Sequence, residues 1–392
     1  MSVWELILMG YVLVGCLYWL VNLLLAVRVV RRVPQLADTP VERAGPWPRV
    51  SQIVPACDEA ETIEAAIRAR LREGYPDTQL VVVEDRSTDE TAVILDRLAS
   101  DDPRIRVVHV RDLPDAWLGK VHALHQGVQV ADGSWFLFSD ADVHLAPTAL
   151  RRAVNHAERH GLDHLAVLPE LWPTTFLLDA VLATFVRIFC LITRTWALDG
   201  ARWRTPLGIG AFNLVRRSAF ERTAGFEWLR LEVVDDLGLA QMLHATGAVG
   251  GIASGRGLVG LRWYRTLGEL ARGAEKSALS GAVGFSLGRV LCKSFVLVGL
   301  ELAPFVGLLP IGPGLPALGL FGVAVALLAQ LTLARWARRP LLPAAFVPLA
   351  AVLGLVISVR AGWLALRRGG LMWRGKLYPL AQLRGGSRVR PP

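Results

Sequence analysis

Phe136-Leu137-Phe138-Ser139-Asp140-Ala141-Asp142-Val143-His144 is an apolar run that ends in two carboxylates one residue apart. The pattern predicts a buried strand that delivers a polar tip, and in open α/β sheets ligands sit at those tips. Residues i and i+2 of a strand point the same way, so Asp140 and Asp142 face one ligand in this reading. Two nearby carboxylates that both ionise repel each other. A divalent cation relieves that repulsion, and Mg²⁺ often sits between carboxylates and substrate phosphates. The same two residues would also serve as caps of the turn into a helix after Pro147, a common use of aspartate. The pair alone does not choose between these readings.

The surroundings of the pair are repetitive. Val50–Ala56, Leu80–Val83, Ile105–Val110 and Trp135–Ser139 read as short strands. Glu59–Glu73, a helix capped by Asp89 and running through Leu98, and Gly119–Val130 read as the helices between them. This alternation implies βαβ units and a mostly parallel sheet. Right-handed crossovers gather the strand tips on one rim, which lines up Asp58, Asp85 and Asp140. Farther on, Gly208–Val215 reads as another strand. Val234–Ala245 reads as a helix that begins with Asp235-Asp236.

The ends of the chain are of another kind. Leu6–Val27 is 22 residues without a charge, long enough at about 1.5 Å per residue to cross a hydrocarbon core of roughly 30 Å. No small-residue cleavage site follows, so it reads as an anchor. Arg28, Arg31 and Arg32 follow it directly, and the positive-inside rule then puts the next residues in the cytoplasm. Ser294–Ala334 has Glu301 as its only charge, and Pro340–Val359 is uncharged. From Arg360 onward there are eight Arg or Lys and no acid, within a net charge of +9. A basic tail after apolar segments suits anionic headgroups or diphosphates, and no nucleic-acid motif accompanies it. One leading and three trailing spans would leave this tail outside, against the same rule. Either one trailing segment is re-entrant or the tail escapes the rule. Leu171–Leu198, apolar but broken by Asp179, Arg187 and Arg194, reads as an amphipathic segment on the membrane surface in preference to buried core helices. Four scattered cysteines imply neither a disulfide framework nor a zinc site.

The expected domains are an N-terminal transmembrane anchor (1–32), a proline-rich linker (33–48), an α/β domain (49–280), C-terminal transmembrane helices (281–363) and a basic tail (364–392).

The α/β region resembles the membrane-bound family 2 glycosyltransferases, over roughly Val50–Lys276. It is most similar to members that glycosylate lipids, such as the hopanoid-, carotenoid- and ceramide-associated transferases. The resemblance rests on Val54-Pro55-Ala56-Cys57-Asp58-Glu59, Val83-Glu84-Asp85-Arg86-Ser87-Thr88-Asp89, Gly119-Lys120, Asp140-Ala141-Asp142 and Asp235-Asp236-Leu237-Gly238-Leu239-Ala240, in that order. It implies a GT-A fold, Rossmann-like with a mostly parallel sheet, flanked by transmembrane helices. It also implies inverting, Mg²⁺- or Mn²⁺-dependent transfer from a nucleotide sugar, a UDP-sugar by expectation, to a lipid or membrane-held hydroxyl.

By the same resemblance Pro55, Asp58, Glu59, Asp85, Lys120 and Asp140 bind the donor. Asp140 and Asp142 hold the metal, Asp236 is the general base, and Asp235 stands beside it. Asp58 replaces the Asn usual in the family, which bears on base choice. Arg262-Trp263 matches the end of a Gln-x-x-Arg-Trp motif in which Val259 replaces Gln, a departure that argues against a polymer synthase. Trp373, Arg374 and Lys376 belong to a segment shared with the lipid-modifying relatives and are placed on the acceptor or diphosphate side. The competing readings are a haloacid-dehalogenase-like phosphohydrolase, a non-catalytic binding module and a polysaccharide synthase.

Overall fold

The computed structural model describes residues 2–199, 202–203, 205–276 and 285–389. The expected boundary at 280/281 lies outside the described residues, as does the last part of the basic run Arg262–Ser280.

Val50–Ala56 lies at the middle of the parallel half of a nine-stranded sheet. Thr78–Asp85 and Trp135–Phe138 flank it in parallel, and Ile105–Val110 adds beyond Thr78–Asp85. The three inner strands are buried almost throughout, and Leu80–Val83 and Trp135–Phe138 read as apolar runs because both faces are covered. Ile53, Val83, Phe136 and Phe138 pack under the helix Gly119–Val130 through Val121 and Leu124. Val50, Trp135 and Leu137 face the helix Ala149–Arg159 through Leu150 and Val154. The alternation that predicts a strand thus fills two separate cores.

The other half of the sheet departs from the simple parallel expectation. Asn213–Arg216 inserts antiparallel between Trp135–Phe138 and His164–Leu168. It is shorter than the expected Gly208–Val215 strand, because 208–212 leaves the ladder to pass beside the helix Asp235–Ala245. Gly250–Ser254 follows, parallel to His164–Leu168. The first helix runs Ile63–Arg72, later than expected, since Asp58 takes a left-handed backbone (φ 52°) and residues 59–62 form a turn.

Val3–Arg32, Leu315–Trp336 and Val347–Arg367 are long and apolar enough to cross a membrane. Leu287–Val306 packs with them and against Val3–Arg32. Before Val347–Arg367, Trp336 accepts a hydrogen bond from Arg256, and Arg339 donates to the Leu171 carbonyl, both on the α/β domain. The chain then dips until Val347 packs with Trp19, Val325 and Ala329 inside the bundle. It returns to the domain, where Arg360 and Arg368 pair with Glu275. This segment is re-entrant in shape. The tail therefore stands on the same side as the α/β domain, where Gly370–Trp373 and Lys376–Pro379 form a hairpin. Leu371, Tyr378 and Leu383 join the core that holds Phe138 and Val121.

Leu171–Leu198 requires a correction. Its helix, Phe176–Ile192, does not lay its charges on a membrane surface. Asp179 pairs with Arg339, and Arg187 pairs with Glu301 at 2.5 Å with both side chains at 0–1% exposure. Burial of these charges is tolerated because each meets an opposite one. Tyr18, Asn22 and Gln330 complete the shell around Arg187, so the helix is fixed among the apolar helices and not spread over lipid.

Candidate active site

The strand tips and the start of the helix Asp235–Ala245 meet over a chamber of 1440 Å³, larger than the roughly 300–1,000 Å³ of a usual small-molecule site. Pro55, Asp58, Glu59, Asp85, Lys120, Asp140, Asp142, Asp235 and Asp236 all line it, as do Arg262, Trp263, Trp373, Arg374 and Lys376. They come from widely separated parts of the chain and share one cavity.

Asp140 and Asp142 occupy unlike surroundings. Asp140 accepts the Lys120 ammonium at 2.8 Å, and Lys120 also reaches Asp235 at 3.2 Å. Burial opposes ionisation of Asp140, but Lys120 outweighs it and the pKa is lowered. Among the described residues Asp142 has no ion-pair partner, and burial, then Asp140 and Glu59, push it up to about 7 against the weaker pull of Arg70. Asp142 is thus a carboxylate short of positive charge. Among the described residues no group of three or more His, Cys, Asp or Glu is placed to hold a metal ion. The donor set fits a hard cation that takes the rest of its ligands from a substrate, as Mg²⁺ does with diphosphates.

Asp236 is held firmly. Its carboxylate accepts the backbone N–H of Gly210 at 2.9 Å and of Leu237 at 2.8 Å. Burial, then the neighbouring Asp235, raises its pKa to about 6. The Gly210 contact explains the glycines of Gly208-Ile209-Gly210. A Cβ at Gly208 would lie 1.8 Å from the Asp236 carbonyl oxygen, and one at Gly210 would lie 2.8 Å from an Asp140 oxygen. Gly208→Ala is therefore expected to cost about 1–3 kcal/mol of stability by overpacking. It is also expected to lower turnover ~100-fold by displacing Asp236. Thermal melting and donor turnover, measured side by side, check both; wild-type values would mean that the backbone yields freely there.

On the opposite wall, Asp85 is engaged on both oxygens by Arg86, at 2.8 and 3.1 Å. Gly119 lies so close that a Cβ would be 2.5 Å from the Asp85 carboxylate. Asp58 accepts the Thr88 N–H at 2.7 Å, so its carboxylate ties two strand-tip loops together. Asp89 takes the Thr91 and Ala60 N–H groups and fixes the same loops. From the tail, Arg374 donates to the Cys57 carbonyl and to Glu59. Trp373 packs under the Lys276 ammonium, 5.3 Å from its ring centre. Lys376 is exposed and lies over Tyr378. Arg262 and Trp263 stand exposed on the wall nearest Phe176–Ile192, with Trp263 against Phe185.

Two residues in this arrangement escape a sequence reading. Arg70 is buried beneath the Asp140 loop and donates to the Ser139 hydroxyl and the Asp140 carbonyl, each at 2.8 Å. Burial lowers its pKa to about 10, against the pull of Asp142 and Asp140. Its signal was available: Ile63, Ala66, Ile67 and Arg70 share one helical face, so the arginine falls on the buried side. Lys276 lines the chamber, lowered by burial and then by Lys120, with Asp140 and Asp235 pulling the other way. It closes a basic amphipathic run and carries no signal that separates it from its neighbours.

The chain is similar to known glycosyltransferases. An uncharacterized glycosyltransferase, EpsJ, of Bacillus subtilis is 32% identical over 116 residues, 30% of this chain and 32% of its own. The succinoglycan biosynthesis protein ExoO of Rhizobium meliloti is 32% identical over 125 residues, 31% of this chain and 34% of its own. The matches thus span about a third of the length of these curated relatives. The mannosyltransferase PcManGT of Pyrobaculum calidifontis, solved with GDP-Man and Mn²⁺, superposes with a TM-score of 0.55 at 19% identity, covering 91% of this chain and 98% of that one. That likeness supports the GT-A fold. Residues 51–224 match the family model described as Glycosyl transferase family 2, and the chain therefore carries a family 2 glycosyltransferase domain.

Proposed function

We propose that the protein transfers a sugar, with inversion, from a nucleotide sugar to a hydroxyl of a lipid or other membrane-held acceptor. The observation that carries this reading is the convergence of Asp85, Asp140, Asp142, Lys120 and Asp236 on one chamber that continues between apolar helices. Asp85 accepts hydrogen bonds from the base or ribose once Arg86 turns away. Asp58 and Glu59 shape the same wall. Lys120, Lys276 and Arg374 supply positive charge for the diphosphate. Asp236 takes the proton of the acceptor hydroxyl as its oxygen forms the bond to the anomeric carbon. The bond from that carbon to the diphosphate oxygen breaks on the other side, and the nucleoside diphosphate leaves. Asp142, with Asp140, would hold Mg²⁺ or Mn²⁺, which neutralises charge developing on the leaving group.

The nucleotide sugar and Mn²⁺ bound by PcManGT support this reading; a UDP-sugar remains the donor class expected from the resemblance. A neutral hydroxyl is favoured over a lipid phosphate. A phosphate needs no base, and it would meet Asp235 and Asp236 as like charges. The three apolar helices associate the chain with a membrane. Arg28, Arg31 and Arg32 support a cytoplasmic position for the domain and the tail by the positive-inside rule.

The test is sugar transfer into organic-extractable lipid. Purified protein, radiolabelled donor and a membrane lipid extract are expected to give labelled lipid carrying one or two sugars. EDTA should abolish the transfer and Mg²⁺ or Mn²⁺ should restore it. Label confined to long water-soluble polymer would support a synthase instead. Full activity in EDTA would remove the metal from Asp142.

A further inference from the structure

The chamber has more room than a nucleotide sugar needs, and the surplus extends into the helices. Beyond the acids it runs between Phe176–Ile192, Leu287–Val306 and Val347–Arg367, past Leu182, Phe185, Leu297 and Leu355 to Glu301. Glu301 lies at the depth of Tyr18, well inside the bundle. Its walls mark this arm as a place for a ligand. The re-entrant helix turns Ala350, Gly354 and Ser358 toward it, and a Cβ at Gly354 would meet nothing within 4 Å. Thr184, 5% exposed, also lines the arm. The floor is electrically neutral because Arg187 already compensates Glu301. An apolar body with an occasional oxygen fits these walls, and a second charged group does not.

We propose that this arm seats the apolar body of a hydroxyl-bearing membrane lipid, which enters beside the re-entrant helix and presents its hydroxyl at Asp236. The inference rests on the transferase reading for the identity of the lipid as acceptor.

The test uses the full chain in phosphatidylcholine nanodiscs with hexadecanol carrying a mid-chain diazirine. After photolysis, mass spectrometry maps the labelled residues. The inner faces of Phe176–Ile192 and Val347–Arg367 are expected to label, and excess plain hexadecanol should suppress that label. Gly354→Trp fills the open space and is expected to cut inner-face labelling at least about tenfold. Label on the lipid-facing residues Leu320 and Phe321, both more than half exposed, should persist and serves as the reference. Inner-face label that Gly354→Trp leaves unchanged in a protein of wild-type melting temperature would overturn the proposal. So would label on the outer faces alone. The experiment needs neither donor nor turnover. Normal inner-face labelling in a protein that transfers no sugar would therefore refute the transferase reading and leave the lipid site standing.

Discussion

Asp236→Asn is expected to lower turnover by about 10²–10⁴-fold, the usual contribution of a positioned base, with donor binding nearly intact. The reason lies in how the carboxylate is held. Two backbone N–H groups fix it at the head of the helix Asp235–Ala245, and Gly208 and Gly210 let the chain come close enough to do so. Burial and Asp235 bring its pKa to about 6, which makes it a stronger base than an ordinary carboxylate yet still ionised at neutral pH. The substitution removes the proton acceptor and leaves Asp85, Lys120 and Asp142 in place for the donor. Comparable losses of binding and turnover would show that Asp236 supports structure only. The same pKa fixes the sign of the pH effect. The base works when deprotonated, so kcat/KM should fall as pH drops below about 6. A profile flat down to pH ~5 would assign proton removal elsewhere.

Glu301→Leu is expected to destabilise the protein by about 3–5 kcal/mol, read as a lower melting temperature in detergent. Arg187 is fully buried, and Glu301 takes one of its terminal nitrogens on both carboxylate oxygens, at 2.5 and 2.7 Å. Removing the acid leaves a buried guanidinium with the neutral oxygens of Tyr18, Asn22 and Gln330 and the face of Trp19, and no counter-charge among the described residues. The double variant Arg187→Met/Glu301→Leu should recover most of the loss, because an apolar pair of similar size removes both charges together. Equal melting of the wild type and Glu301→Leu would show that the pair does not tie Phe176–Ile192 to the bundle. This tie matters for function in the present account, since that helix forms one wall of the lipid arm.

These two residues differ in how far the sequence announces them. The place of Asp236 at a helix start is legible from the pattern around it, while its role as base comes from the family resemblance. The parallel strands are likewise legible from pattern, each an apolar run bounded by turn residues. Arg187 and Glu301 interrupt apolar stretches 114 residues apart, and nothing local says that they meet. The surface reading of Leu171–Leu198 fails on that point: a charge in an apolar helix looks amphipathic until its partner is known. Asn213–Arg216 escapes as an antiparallel insertion because strand direction depends on the connections around it. The last helix has the length and composition of a span, and only its contacts at both ends show that the chain returns. Arg70 lies between these cases, visible from its place on a buried helical face but easily passed over at a helix end.

The most direct test of the central claim is nucleotide release by the detergent-purified protein across a donor panel. UDP-glucose, UDP-N-acetylglucosamine, UDP-galactose and GDP-mannose would each be offered with Mg²⁺ or Mn²⁺, beside Asp142→Ala. The account predicts metal-dependent release from one donor, lost in the variant. No release from any donor, even with membrane lipid extract present, would contradict it and leave a domain that binds without transferring.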